Sequence, residues 1–417
     1  MTIELASMEA IRQDGTSYPI VPRLKSIESL NIVDRQILLA ETFLPPGKYR
    51  EFRIRIPKAR LIRGSETVDL AVPPDGFSLG VDLEMSAGET TPLFMSWNVE
   101  ESIERQVFFR PAFAFIGRTK EPRGVLAYVT NEDSNSVTII DRSIDRVIDV
   151  IEVGVRPKGI VVSPDSSRAF IVNSGSHSLT ILDLRDQKIL HTANLEIGAN
   201  PSDVAIHPEG RTLYIANTAL NSVSVVDSAS FQTIDLIPVG QRPASLALDP
   251  GGTTLLVANS GDNTVSVIDT RRNRISTTVP VEFQPVWVAV DSSGTRALVA
   301  HLRSLRLVMI SLSSLQVERK VNVGIAAAAV PDGNSPRVFI ALPTQNRLSY
   351  FDLNIDGEIG SVTVGREPSS LALDRDRGKV YVVDRGSDSI TVVERDTRRK
   401  RTEIPTGKRP YDIAIVR

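Results

Sequence analysis

The chain has no cysteine, which excludes disulfides and thiolate metal sites and leaves the redox compartment open. It has no run approaching the roughly 18 apolar residues of a membrane span, and its opening, MTIELASMEA, is not a signal peptide. It has no excess of one charge. Its 48 basic residues face 50 acidic ones, so there is no bulk electrostatic case for nucleic acid or membrane. Aromatic residues make up only 5%, whereas valine, isoleucine and glycine abound, a balance that suits many short strands better than long helices.

What is present is a repeat. Residues 124 to 165 read GVLAYVTNEDSNSVTIIDRSIDRVIDVIEVGVRPKGIVVSPD. The run Tyr128 to Asn131 returns as Phe170 to Asn173, Tyr214 to Asn217, Leu256 to Asn259, Leu298 to His301, Phe339 to Leu342 and Tyr381 to Asp384. A period of about 42 residues built of strand-like runs is the mark of a β-propeller with four strands per blade. Seven copies predict seven blades over residues 124–417. The series opens on the second strand of a blade and ends on an innermost strand, Asp412 to Val416. That last strand is therefore expected to complete the blade begun at Leu126 and close the ring.

Residues 1–118 carry no such repeat. They alternate as strands do, at Tyr18 to Val21, Arg53 to Ile56, Thr67 to Leu70, Gly80 to Leu83 and Ala112 to Phe115, with turns at Pro45-Pro46-Gly47 and Pro73-Pro74-Asp75-Gly76. This pattern predicts an antiparallel β-sandwich, Ig-like or prealbumin-like, with room for short helices only at 34–42 and 99–105. The polar stretch 119–123 reads as a linker between the two domains.

Two resemblances follow from these residues. The pattern YVTN…NSVTIID…VIDVIEVGVRPKGIVVSPD resembles the YVTN family of β-propeller repeats over residues 124–417. It implies a bacterial or archaeal surface or periplasmic binding protein. The order Leu44-Pro45-Pro46-Gly47-Lys48-Tyr49, Phe52 to Ile56, Val72-Pro73 and Phe109-Arg110-Pro111 resembles a domain of unknown function found near the N-termini of secreted bacterial lipoproteins. It implies an envelope location, with any leader absent from this numbering. Trp97-Asn98 stands where that family tends to carry aspartates.

The chemistry is sparser. The Asn-x-x-x-Asn turns (Asn131/Asn135, Asn217/Asn221, Asn259/Asn263) recur blade after blade and read as backbone-binding turn formers, as do Asp141, Asp183, Asp227, Asp269 and Asp352. His177, His191, His207 and His301 show no metal spacing, and no Gly-x-Ser-x-Gly elbow is present. No metal or cofactor is expected. The glycine-x-x-proline loops are read as a permissive residue followed by a fixed φ, used where the chain crosses to the axis.

Symmetry breaks in two places. The fifth repeat replaces its turn motif with His301, Arg303 and Arg306. The crossing loops are basic at Arg156, Lys158, Arg242, Arg366 and Arg409, offset only in part by Glu282 and Glu367. The residue after each proline, such as Lys158 or Tyr411, should lie near the axis. These nine positions form the expected ligand-binding set, a positive rim for a protein, an anionic polymer or a small anion, with His301 gaining charge below about pH 6.5. The clusters 271–274 and 398–401 fall on the opposite face and read as solvated.

The sequence thus reads as an extracytoplasmic binding or scaffold protein rather than an enzyme. Two alternatives stay open: a lactonase-type hydrolase, for which no partner glutamate is evident, and a redox partner that cradles a haem or a cytochrome.

Overall fold

The repeated runs become strands because each lies between two others and must bury both faces. In a computed structural model, which describes residues 1–32, 36–63, 66–87, 91–105, 107–116, 125–333 and 335–416, Leu126–Asn131 is buried along its whole length. Its counterparts Arg168–Asn173, Thr212–Asn217 and Thr254–Asn259 are buried at all but their first residue. The outermost strands, such as Lys188–Asn194 and Thr233–Pro238, are exposed along most of theirs. Contacts divide the chain into two compact units: Met1–Arg123, to which Ile148–Val150 is assigned, and the remainder of Gly124–Arg417.

The second unit is a propeller of seven four-stranded antiparallel sheets. Blade 2 runs outward as Pro157–Val162, Arg168–Asn173, Ser178–Asp183 and Lys188–Asn194. Blades 3 to 7 begin with innermost strands Pro201–Ile206, Pro243–Leu248, Pro285–Val290, Ala328–Pro331 and Pro368–Asp374. Blade 1 is composite. The C-terminal strand Pro410–Ile415 pairs with Leu126–Asn131, matching Val129 to Ile413 and Ala127 to Ile415. Innermost strands then contact one another around a closed ring, Pro410–Ile415 touching both Pro157–Val162 and Pro368–Asp374. Closure removes the open edges that a linear array would expose.

The cores lie between blades. Phe170, Val172 and Leu179 of blade 2 pack with Val204, Leu213 and Ile215 of blade 3. Tyr381, Val383 and Ile404 of blade 7 pack in the same way with Ala127, Val129 and Ile413 of blade 1. That last seam also carries buried ions. Arg142, 2% exposed, pairs with Asp374 and donates to the Val416 carbonyl. Asp145 accepts from Lys379 Nζ at 2.7 Å and from the Tyr381 hydroxyl at 2.9 Å, and forms an ion pair with Arg401 Nε at 2.8 Å. The 398–401 cluster is therefore not merely solvated: Arg401 joins this latch, and Arg398 lies over the Tyr350 ring.

The crossing loops correct one expectation. Glycines 154, 240, 365 and 407 do not take positive φ, which falls instead on the residue before each proline, including Arg156 (55°), Arg242 (53°), Glu367 (52°) and Arg409 (50°). The glycine is needed for space, since a Cβ on Gly154 would lie 2.5 Å from Asn173 Cγ. The left-handed residue is held by the Asn turn. Arg156 N–H donates to Asn135 Oδ1 at 2.9 Å, Arg242 N–H to Asn221 Oδ1 at 2.9 Å and Gln284 N–H to Asn263 Oδ1 at 2.9 Å. The Asn turns are thus structural, as their recurrence suggested, and they share one face with the crossing loops.

The first unit holds two four-stranded antiparallel sheets. One contains Thr2–Glu4, Ser26–Glu28, Lys58–Arg63 and Glu66–Leu70. The other contains Ser7–Arg12, Ser17–Ile20, Gly47–Arg55 and Phe77–Met85. Both feed one core around Ile3, Ala59, Ala10, Tyr49, Phe52 and Ile54. Tyr49 is buried and its hydroxyl donates to the Pro45 carbonyl at 2.7 Å, which pins the Pro-Pro-Gly turn. Trp97 stacks on Phe113 at 5.6 Å. Neither expected helix forms among the described residues: 36–42 is irregular and 99–105 is turns with the two-residue strand Ile103–Glu104. Residues 34–35 and the linker 119–123 lie outside the described residues. No described helix is long and apolar enough to cross a membrane.

Candidate functional site

Each blade places the residue after its second strand's last position at the propeller mouth. In blades 2, 3 and 4 that residue is Ser174, Thr218 or Ser260, whose hydroxyl donates to a crossing-loop carbonyl: Arg156 O, Pro243 O and Arg242 O respectively. Blades 1 and 7 depart from this with Glu132 and Arg385. Glu132 is 1% exposed, accepts from Arg156 Nη2 at 2.6 Å and pairs with Arg385. Burial alone would raise its pKa. The hydrogen bond from Arg156 and the charges of Arg385 and Lys158 outweigh that and hold the carboxyl below its usual range, so it stays ionised.

Below Glu132 lies Tyr411, with two cations on its ring. Lys158 Nζ and the Arg385 guanidinium each sit 5.5 Å from the centroid, from blades 2 and 7. Burial holds the Lys158 pKa below its usual value, and Glu132 opposes that only in part. Its ammonium has no hydrogen-bond or ion-pair partner among the described residues. Burial and the nearby Asp203 carboxylate push the Tyr411 hydroxyl up, so it remains protonated.

One residue further along the innermost strands come Asp412 (blade 1) and Asp203 (blade 3). They lie deep in the ring, yet part of their surface is reachable by water, so they line its axis. Asp412 accepts from Ser370 Oγ at 2.8 Å and Ile160 N–H at 3.2 Å, and Asp203 from Leu246 N–H at 2.7 Å. Burial first, then the charge of Asp412, raises Asp203 to about 7, and burial raises Asp412 in the same direction.

Of the expected set, the fold brings together Arg156, Lys158 and Tyr411. Arg409 is close by in blade 1, 3.7 Å from Asp133. Arg242, Arg303 and Arg366 are exposed, and no ion pair joins them to this cluster among the described residues. Arg306 belongs to blade 5, 3.5 Å from Glu282, which Lys320 also holds at 2.8 Å. His301 does not meet the expectation of a charge below pH 6.5. It is fully buried at the blade's asparagine position, its Nδ1 is 3.0 Å from Arg306 O, and burial lowers its pKa to about 4. Glu132, Arg385, Asp203 and Asp412 were missed in the sequence. The available signal was the charged residue following the YVTN-like run in two repeats only. An open groove of about 650 Å³ between the outer strands of blades 4 and 5, lined by Thr277 to Pro280, Ser314 to Val317 and Lys320, offers one charged group and lies apart from this cluster.

The sequence profile of the family described as Lactonase, 7-bladed beta-propeller matches residues 119–290. No curated protein matches the chain. Among solved structures, a functionally unknown protein from Desulfotomaculum acetoxidans aligns with a TM-score of 0.62 and 14% identity, over 70% of this chain and 99% of that one. The hydrazine synthase of Kuenenia stuttgartiensis aligns at 0.56 and 23% identity, over 61% and 88%. Dihydro-heme d1 dehydrogenase NirN in complex with DHE aligns at 0.55 and 13%, over 71% and 76%. Likeness at these identities is likeness of fold, and with the family match and the seven closed sheets it establishes a seven-bladed β-propeller.

Proposed function

We propose that this protein is an extracytoplasmic binding module of the cell envelope whose propeller mouth, between blades 7, 1 and 2, receives an anionic group. The observation that supports this most is the Lys158 ammonium, laid on Tyr411 beside Arg385 and Arg156 and left without a counter-ion of its own. Glu132 offsets only one of these three cations. A carboxylate or phosphate entering there would gain charge-assisted hydrogen bonds in a partly dehydrated site, where such bonds are stronger than on an open surface. The envelope location rests on the resemblances of both domains.

The test is calorimetric titration with citrate, polyphosphate, an anionic glycan and haem, against wild type and the variants Lys158→Met and Arg385→Met. Binding of one of these that weakens at least about tenfold in each variant, a loss of roughly 1.4 kcal/mol, supports the reading. Equal affinities in all three proteins refute it.

The match to the lactonase profile favours a second reading, hydrolysis of a lactone at the same mouth. The glutamate that the sequence did not reveal is present as Glu132, in blade 1, but His301 is buried in blade 5 and paired to Arg306 O. A hydrolase here would therefore rely on Glu132, Arg156 and Arg385 without that histidine. Proton release from δ-lactones in a weakly buffered assay, abolished by Glu132→Gln, would favour it over binding alone. The haem or cytochrome partner reading has the likeness of fold behind it, and haem in the panel tests it.

A further inference from the structure

Two layers of opposite charge lie along the axis. The first layer carries Lys158 with Arg385 and Tyr411 at the mouth. The second carries Asp412 and Asp203, separated only by the backbone of Gly159, where a Cβ would lie 2.7 Å from Asp203 Cα. Neither aspartate forms an ion pair among the described residues.

Their simplest role is stitching, since each accepts a backbone N–H from the next blade's innermost strand. Stitching does not require charge. At the same register blade 4 carries Ser245, which accepts Val288 N–H at 3.4 Å, and blade 7 carries Ser370. Two carboxylates are thus used where a hydroxyl serves elsewhere in the ring, and burial makes each of them costly. Trp287 stands at this same register in blade 5, and its buried Nε1 has no acceptor among the described residues. The layer offers two unpaired carboxylates one residue below an unpaired ammonium, while the Trp287 ring packs into the cores on either side of blade 6.

We propose that the axial site takes a small zwitterion, its carboxylate held at the mouth by Lys158 and Arg385 and its ammonium reaching down to Asp203 and Asp412. This rests on the anion-site reading and adds the second charge and its direction.

The test compares matched probes by calorimetry on the full chain: glycine, γ-aminobutyrate and ε-aminocaproate against acetate, butyrate and caproate. At least one amino acid should bind about tenfold or more tighter than its matched carboxylate. Asp203→Ser and Asp412→Ser, which copy the serine that accepts the neighbouring strand's N–H in blade 4, should bring that ratio to about one while binding of the plain carboxylate survives. Thermal unfolding of both variants establishes that they are folded. A preference unchanged in both serine variants, or no preference in wild type, overturns the zwitterion inference and leaves the anion site standing. Failure of both probe series to bind wild type overturns the zwitterion inference, and the anion site is then decided by the citrate, polyphosphate, glycan and haem titrations.

Discussion

Asp384 offers an internal test of the physics, because the other blades serve as its controls. It occupies the position held by Asn131, Asn173, Asn217 and Asn259, and it is fully buried. In those blades the amide donates to two hydroxyls, as Asn173 Nδ2 does to Ser178 Oγ at 3.1 Å and Thr180 Oγ1 at 2.9 Å. Asp384 instead accepts from Thr391 Oγ1 and has one oxygen unpartnered among the described residues. Burial raises its pKa from 3.8 to about 7, with the Thr391 and Gly365 donors opposing and Glu403 adding to the rise. The native state therefore holds a proton that the unfolded chain releases above about pH 4. Stability falls as pH rises through the window from about 4 to 7, and the penalty is complete above it. Three pH units correspond to about 4 kcal/mol at most. Asp384→Asn removes the penalty and restores two donors toward Ser389 and Thr391. It should stabilise the propeller by on the order of 3 kcal/mol at pH 8 and by little at pH 4. The assay is urea unfolding of both proteins across that pH range. A gain that is equal at pH 4 and pH 8, or no gain at pH 8, refutes the reasoning.

Arg142→Ala leaves Asp374 buried without its partner and should cost about 3–5 kcal/mol by the same assay, whereas Arg142→Met with Asp374→Leu should cost far less. Deleting the chain from Pro410 onward removes the innermost strand of blade 1 and should abolish cooperative unfolding of the propeller; a soluble truncation with an unchanged transition contradicts the closure. His301 should show no imidazole titration by NMR between pH 8 and 5. Its lowered pKa means that stability is lost as pH falls from about 6.5 toward 4, where the unfolded chain alone takes the proton. Limited proteolysis should cut within 119–123 and release two folded pieces, and an intact segment there contradicts the domain boundary.

The fold was legible because repetition makes it so. Each of seven copies repeats the buried run and the crossing loop, and the strand count leaves blade 1 one strand short until Pro410–Ile415 fills it. The site was legible only in part. Lys158 and Tyr411 follow prolines at known offsets, so their nearness to the axis could be inferred. Glu132 and Arg385 sit 253 positions apart and meet only because the ring closes between blades 7 and 1. The reason for the glycine was also hidden, since the collision that it avoids involves an asparagine side chain at the end of the second strand of the blade that follows. His301 looked like a surface charge because its repeat is irregular, but register places it at a buried position that sister blades fill with asparagine.

If an anion seats at the axial mouth, anomalous diffraction from crystals soaked in bromide will locate it directly. The strongest bromide peak should lie beside Lys158 Nζ, within reach of Arg385 and above the Tyr411 ring, and should be lost in Lys158→Met crystals. Bromide found only at the exposed arginines, such as Arg242, Arg271 and Arg366, with none at Lys158, would contradict it.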